Sequence, residues 1–132
     1  MPHKIPIATN AAPPSVGTHT QAIRVGDLVF TTGQTGRDLN GKLAEGLEAQ
    51  TRQMLANLEV ILNAAGCSLS DIVRVNLMMA DLKTFKAIDQ IYAAWLPDRA
   101  TSPLPTRSAH VAAQLPAGAL VMMDVIAAYP GE

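Results

Sequence analysis

EAQTRQMLANLEVILNAAGCSLSDIVRVNLMMADLKTF, residues 48–85, changes its hydrophobic period once, and that change decides the fold class. From Gly46 to Ala65, Leu47, Met54, Leu55, Leu58, Ile61, Leu62 and Ala65 recur at the three-and-four spacing of one helix face. Gly66 follows the last periodic residue, where a helix that ends in a left-handed residue needs glycine. From Asp71 to Met79 the period drops to two: Val73, Val75, Leu77 and Met79 alternate with Ile72, Arg74, Asn76 and Met78, the pattern of a strand. Asp81 then stands as an N-cap before a second helix, Lys83 to Leu96, with Phe85, Ile88, Tyr92, Trp95 and Leu96 on one face and Pro97 as its stop.

Upstream of this core, His19 to Val25 and Leu28 to Thr32 read as two strands joined at Gly26-Asp27, a tight-turn pair. TTGQTG (31–36) leaves the second strand, and Asn40-Gly41 marks a further turn. Pro2, Pro6, Pro13 and Pro14 make residues 1–15 an extended arm. Downstream, three prolines make 97–105 a loop, Thr106 to Ala113 is a strand, and Ala119 to Ala128 is apolar on both faces, as a doubly covered central strand would be. The order β-β-α-β-α-β-β predicts a single α+β domain over residues 1–132, with two helices on one face of a sheet.

Composition narrows the partners. Hydrophobic residues make up 48% of the 132 and charged residues 16%, below the quarter or so usual in a soluble domain, which favours self-association. The net charge is −1, aromatic content is 4% and no Lys/Arg cluster occurs, which disfavours nucleic acid as the main partner. The run Ala117 to Pro130 is too short and too interrupted to span a bilayer, and the N-terminal stretch lacks the apolar core of a signal peptide. A single cysteine, Cys67, excludes an internal disulfide framework, and the expected compartment is the cytoplasm.

Few residues stand out chemically. Asp124, inside LVMMDVIAA (120–128), is a carboxylate in an apolar strand, costly unless paired or hydrogen-bonded, and is therefore a site candidate or a strand-edge residue. Arg107, in PLPTRSAHVA (103–112), has the forked geometry that grips carboxylates, although spacing alone favours a surface or interface arginine. His19 and His110 could act as acids or bases, but no histidine or cysteine spacing supports a metal site. The P-loop pattern is absent, and a triad of Ser108, His110 and Asp124 lacks a nucleophile elbow.

Several collinear segments together resemble the YjgF/RidA family: VGTHTQA (16–22), DLVFTTGQTG (27–36), EAQTRQMLANLEVILNAAG (48–66), DIVRVNLMMADLKTF (71–85) and PTRSAHVAAQLP (105–116), over about residues 9–128. The resemblance implies a chorismate-mutase-like mixed sheet and a homotrimer with clefts between subunits. It also implies hydrolysis of 2-aminoacrylate or its imine to a 2-keto acid and ammonia, with no metal or organic cofactor. On it, Arg107 binds the substrate carboxylate, Asp124 falls where Glu usually positions the attacking water, and Thr32 stands where Ser is common. Gly33 lines the pocket through its backbone, Ala109 replaces a common Cys, His19 a common Tyr and Asp89 a common Asn. The last two changes favour a larger or differently shaped imino acid. The rival expectations are a deaminase of 2-aminomuconate, an RNA-acting member of the translation-inhibitor or endoribonuclease L-PSP kind, and a carboxylate-binding module without catalysis.

Overall fold

In the computed structural model, which describes residues 3–131, the first periodic segment is the helix α1, Leu47–Ala64. Its apolar stripe is the centre of the core: Met54, Leu55, Leu58, Ile61 and Leu62 are all essentially inaccessible to solvent. Each contributes about 1.5–3 kcal/mol by leaving water. Gly66 has the predicted left-handed backbone, at φ 84°, and the Cys67 N–H returns to the Leu62 carbonyl at 2.8 Å, closing the helix end. Burial pushes the Cys67 thiol above its ordinary pKa, with Asp71 adding to the shift and Arg24 opposing it, so this cysteine is a packing residue.

Around α1 the remaining elements are β1 (Lys4–Ile7), β2 (Ala22–Val25), β3 (Leu28–Thr31), β4 (Ile72–Met79), α2 (Phe85–Trp95), β5 (Thr106–Val111) and β6 (Val121–Ala128). The six strands form one sheet in the order β1-β2-β3-β6-β4-β5, antiparallel throughout except for the parallel pair β4/β5. Both helices join the core on one face, as the sequence predicts. Asp81 accepts from the Lys83 N–H at 2.9 Å and opens the turn that leads into α2.

Two expectations need correction. The arm is not merely extended: residues 4–7 form β1 and add a strand to the predicted order. Pro6 obscures it in the sequence, yet β1 lies at the sheet edge, where a missing N–H costs no ladder bond. Gln21 pins the rest of the arm, accepting from the Thr9 N–H and donating to the carbonyls of Thr9 and Pro13. Secondly, β6 is central but is covered on one face only. Val121, Met123, Val125 and Ala127 are buried under the helices, while Met122, Asp124, Ile126 and Ala128 on the opposite face are half-buried. Asp124 is therefore a group on an open sheet face and not a core carboxylate.

The buried Asn57 ties α1 to the segment after β3. Its Nδ2 donates to the carbonyls of Thr35 (3.2 Å) and Arg37 (2.8 Å), and its Oδ1 accepts from Gln53. Asn57→Ala leaves these backbone acceptors unpaired, at about 1–3 kcal/mol for the group. We expect a lower urea midpoint with an unchanged slope; an unchanged midpoint would show that the tie is dispensable.

Candidate functional site

Arg107 owes its position to strand register. It pairs with Val75 in the parallel β4/β5 ladder, and Val75 is buried on the helix side, so Arg107 emerges over α2. There it meets three residues spaced i, i+4 and i+7 on one helix face: Phe85, Asp89 and Tyr92. Nη1 donates to Asp89 Oδ1 at 2.5 Å, and the guanidinium carbon lies 5.2 Å from each of the Phe85 and Tyr92 ring centroids. The pair sits in the wall of a cavity of about 720 Å³ that Leu104 and Arg99 also line. Burial pushes the Tyr92 hydroxyl above the usual phenol range, against the pull of Arg107, so it is a neutral phenol at physiological pH. Ala109, paired with Leu77, lies on the same side of β5 as Arg107.

A second group of residues gathers where β3 leaves the sheet. Between the Phe30/Ile126 pair and the Gln34/Met123 bridge, four steps along one strand face three along the other, a bulge in the TTG segment. Thr31 Oγ1 fills the gap in the ladder, accepting from the Val125 N–H at 3.0 Å. The Thr32 N–H turns instead to the Gln21 carbonyl at 2.9 Å. The bulge opens Thr32 and Gly33 into a cavity of about 380 Å³ that His19, Gln34, Arg37 and Met122 also line. At Gly33 a Cβ would meet Met122 Cε, the far end of a flexible side chain, so a larger residue there would displace only the Met122 tip. At Gly36 a Cβ would meet the Gln50 backbone at 2.5 Å, which fixes the same loop against α1.

Of the residues singled out in the sequence, the structure brings Arg107 and Asp89 together, and separately His19, Thr32 and Gly33. Asp124 lines neither cavity. It accepts from Asn76 Nδ2 at 3.2 Å on the open face, one pleat repeat from Met122. The two groups are far apart within one protomer, because β6 and β4 lie between β3 and β5, a span of roughly 14 Å at about 4.8 Å per strand. Ser108 accepts from Arg74 at 2.9 Å, so Ser108 and Asp124 of the hypothetical triad are committed to other partners. Among the described residues no three His, Cys, Asp or Glu side chains converge as metal ligands, and no helix is long and apolar enough to cross a membrane.

Sequence reasoning missed Met122, Asn76 and the aromatic seat of Arg107. Two signals were available. Alternation along VMMDVIAA (121–128) puts Met122 and Asp124 on one face, and the i, i+4, i+7 spacing puts Phe85, Asp89 and Tyr92 on one stripe.

Comparison with known proteins gives a consistent result. The family model described as Endoribonuclease L-PSP matches residues 9–129. A protein of Arabidopsis thaliana named Reactive Intermediate Deaminase A, chloroplastic, is 38% identical over 123 residues, which are 92% of this chain and 64% of that protein. The chain thus spans less than two thirds of the Arabidopsis protein. A Mus musculus protein named 2-iminobutanoate/2-iminopropanoate deaminase is 34% identical over 92% of this chain and 88% of its own length. The crystal structure of RidA from the Antarctic bacterium Psychrobacter sp. PAMC 21119 superposes with a TM-score of 0.87 at 38% identity, covering 92% of this chain and 97% of that one.

Proposed function

From the premise that the chain belongs to the endoribonuclease L-PSP family, also called YjgF/RidA, we propose that it hydrolyses 2-imino and 2-enamino acids to 2-keto acids and ammonia. The observation that carries this reading is Arg107, a forked cation held by α2 with part of its donor set free, at the wall of a cavity large enough for a small amino-acid-like ligand. The mouse relative's name gives the substrate class, 2-iminobutanoate and 2-iminopropanoate.

In the reaction the enamine tautomerises to the imine by moving a proton from nitrogen to the terminal carbon. Water adds to the imine carbon, the nitrogen takes up protons and leaves as ammonia, and the carbon becomes the keto carbon. Arg107 fixes the carboxylate and with it the position of the carbon under attack, which is mainly an entropic contribution. We assign the water to the Thr32–Gly33 bulge. There the Thr32 hydroxyl can hold it, and His19, which lines the same cavity, can carry the proton to the departing nitrogen. Asp124, which lines neither cavity of the protomer, we assign to the water only where copies meet across the open sheet face, with Asn76 donating to its carboxylate.

Arg107 and the His19–Thr32 group are too far apart to serve one substrate within a protomer. We therefore assign the complete site to a homotrimer in which one copy supplies Arg107 and the next supplies His19, Thr32 and Gly33. The open sheet face, with Leu28, Phe30 and Ile126 uncovered or half-covered, is the surface that would bring copies together. The single, buried, unpaired Cys67 suits a reducing compartment, and we place the protein in the cytoplasm. A net charge of −1 without a basic cluster argues against RNA as the substrate.

A shared site is testable by complementation. Arg107→Ala and His19→Phe proteins should each be nearly inactive alone. Unfolded and refolded together, they should regain about a quarter of wild-type ammonia release, since random assembly restores both residues to about one cleft in four. No regain in mixed trimers would place the whole site within one protomer and contradict the assignment.

A further inference from the structure

We propose that Asp89 makes the Arg107 subsite selective for zwitterions, so that it prefers a carboxylate with a cationic nitrogen beside it to a simple keto-acid anion. The inference rests on the reading of Arg107 as the carboxylate clamp and goes on to say which charge pattern that clamp accepts. The observation is the Nη1–Oδ1 hydrogen bond between Arg107 and Asp89, on side chains 27% and 40% exposed, in the wall of a cavity both residues line.

The charge balance follows from that geometry. An unopposed guanidinium at a cavity wall attracts any carboxylate. Here a carboxylate of the protein already takes one Nη1 hydrogen, leaving a local pair with no net charge. An incoming carboxylate still finds the remaining guanidinium donors, but it also meets the negative charge of Asp89 a few ångströms away. A ligand with an ammonium or iminium nitrogen on the carbon next to its carboxylate can satisfy both ends, the carboxylate on Arg107 and the nitrogen on Asp89. The opposing side chains in this wall are Tyr92, a neutral phenol, and the apolar Leu104 and Leu96, none of which cancels Asp89. Arg99 and Asp98, which also line the cavity, are one of each sign and leave its net balance unchanged.

This selectivity has a direction that suits the proposed reaction. A protonated imino acid carries a carboxylate and a cationic nitrogen, whereas the keto acid it becomes carries the carboxylate alone. Asp89 therefore favours substrate over product and expels the product once the nitrogen has left. A neutral amide at this position would keep a hydrogen-bond partner for ligands but lose that discrimination.

The test is ligand binding and needs no turnover. Titration calorimetry on the intact protein would use two stable probes of equal size, L-2-aminobutyrate as the zwitterion and 2-ketobutyrate as the anion. Wild type should bind the amino acid more tightly than the keto acid. Asp89→Asn, nearly isosteric at a half-buried helix position, should shift the ratio of the two affinities by about tenfold or more toward the keto acid, as expected for removing one charge next to a bound ligand. A wild-type preference for 2-ketobutyrate, or failure to bind either probe, would overturn the proposal on the unmodified protein, whatever the variant does. An unchanged ratio in a folded Asp89→Asn protein would also overturn it. Zwitterion-selective binding without ammonia release from imines would uphold the subsite and fail the deaminase reading instead.

Discussion

Arg107→Ala should lower kcat/KM for imine hydrolysis by about 10²–10³-fold or more while leaving the fold intact. The magnitude follows from removing one partner of a close charge pair at a ligand site, which costs about 2–5 kcal/mol, at a factor of ten per 1.36 kcal/mol. Two effects add in this variant. The substrate carboxylate loses its forked partner, and Asp89 is left as an uncompensated negative charge facing it. Arg107→Lys separates them: it restores the charge opposite Asp89 but not the fork or the planar contact with Phe85 and Tyr92, so it should recover only part of the rate. The fold should survive because β5 is an edge strand with no buried residue, and the neighbouring core is built by Val75, Leu77 and Met79 of β4. Steady-state rates on an imine generated in situ, with melting temperatures alongside, read both effects. A variant with near-normal kcat/KM would remove Arg107 from the mechanism.

Phe30→Glu should abolish assembly and activity together. Phe30 is 40% exposed on the open face of the sheet, directly across from Ile126, and points away from α1. A glutamate there therefore costs the protomer little. In an interface between copies it would bury a charge without a partner, a penalty of several kcal/mol repeated at each contact. Light scattering should show a particle three times the protomer mass for wild type and a folded monomer for the variant, with ammonia release lost in parallel. A monomer that still turned over would contradict the shared site, and a variant that stayed trimeric would move the interface off this face.

The legible parts of the sequence were those whose pattern repeats over many residues. The stripe of residues 47–64 fixed α1 to within a residue or two, and the change to period two at residue 72 marked β4, because burial on one face imposes a period that local noise does not erase. β1 escaped because four residues beside Pro6 carry no periodic signal, and the pairing that makes them a strand comes from β2. The site was legible unevenly. Arg107 emerged from the resemblance of PTRSAHVAAQLP (105–116) and not from its spacing, and its seat on Phe85, Asp89 and Tyr92 depends on a parallel register that neither segment reveals alone. Asp124 attracted notice as the one charge in an apolar strand. Which of two like-facing residues meets Gly33 depends on the bulge in the TTG segment, and that bulge directs Met122 to the cavity and leaves Asp124 with Asn76. A one-residue bulge is a tertiary event, set by Thr31 Oγ1 replacing a ladder bond at Val125, and leaves little mark in composition.

The most direct test of the deaminase account is ammonia and keto-acid release from 2-aminoacrylate generated in situ by a serine dehydratase, with wild type and Arg107→Ala measured side by side. The account predicts equimolar ammonia and pyruvate, formed faster than the uncatalysed rate by wild type, with the catalysed rate about 10²–10³-fold or more lower in the variant. Release by wild type no faster than in the absence of protein, or equal acceleration by both proteins, would contradict it.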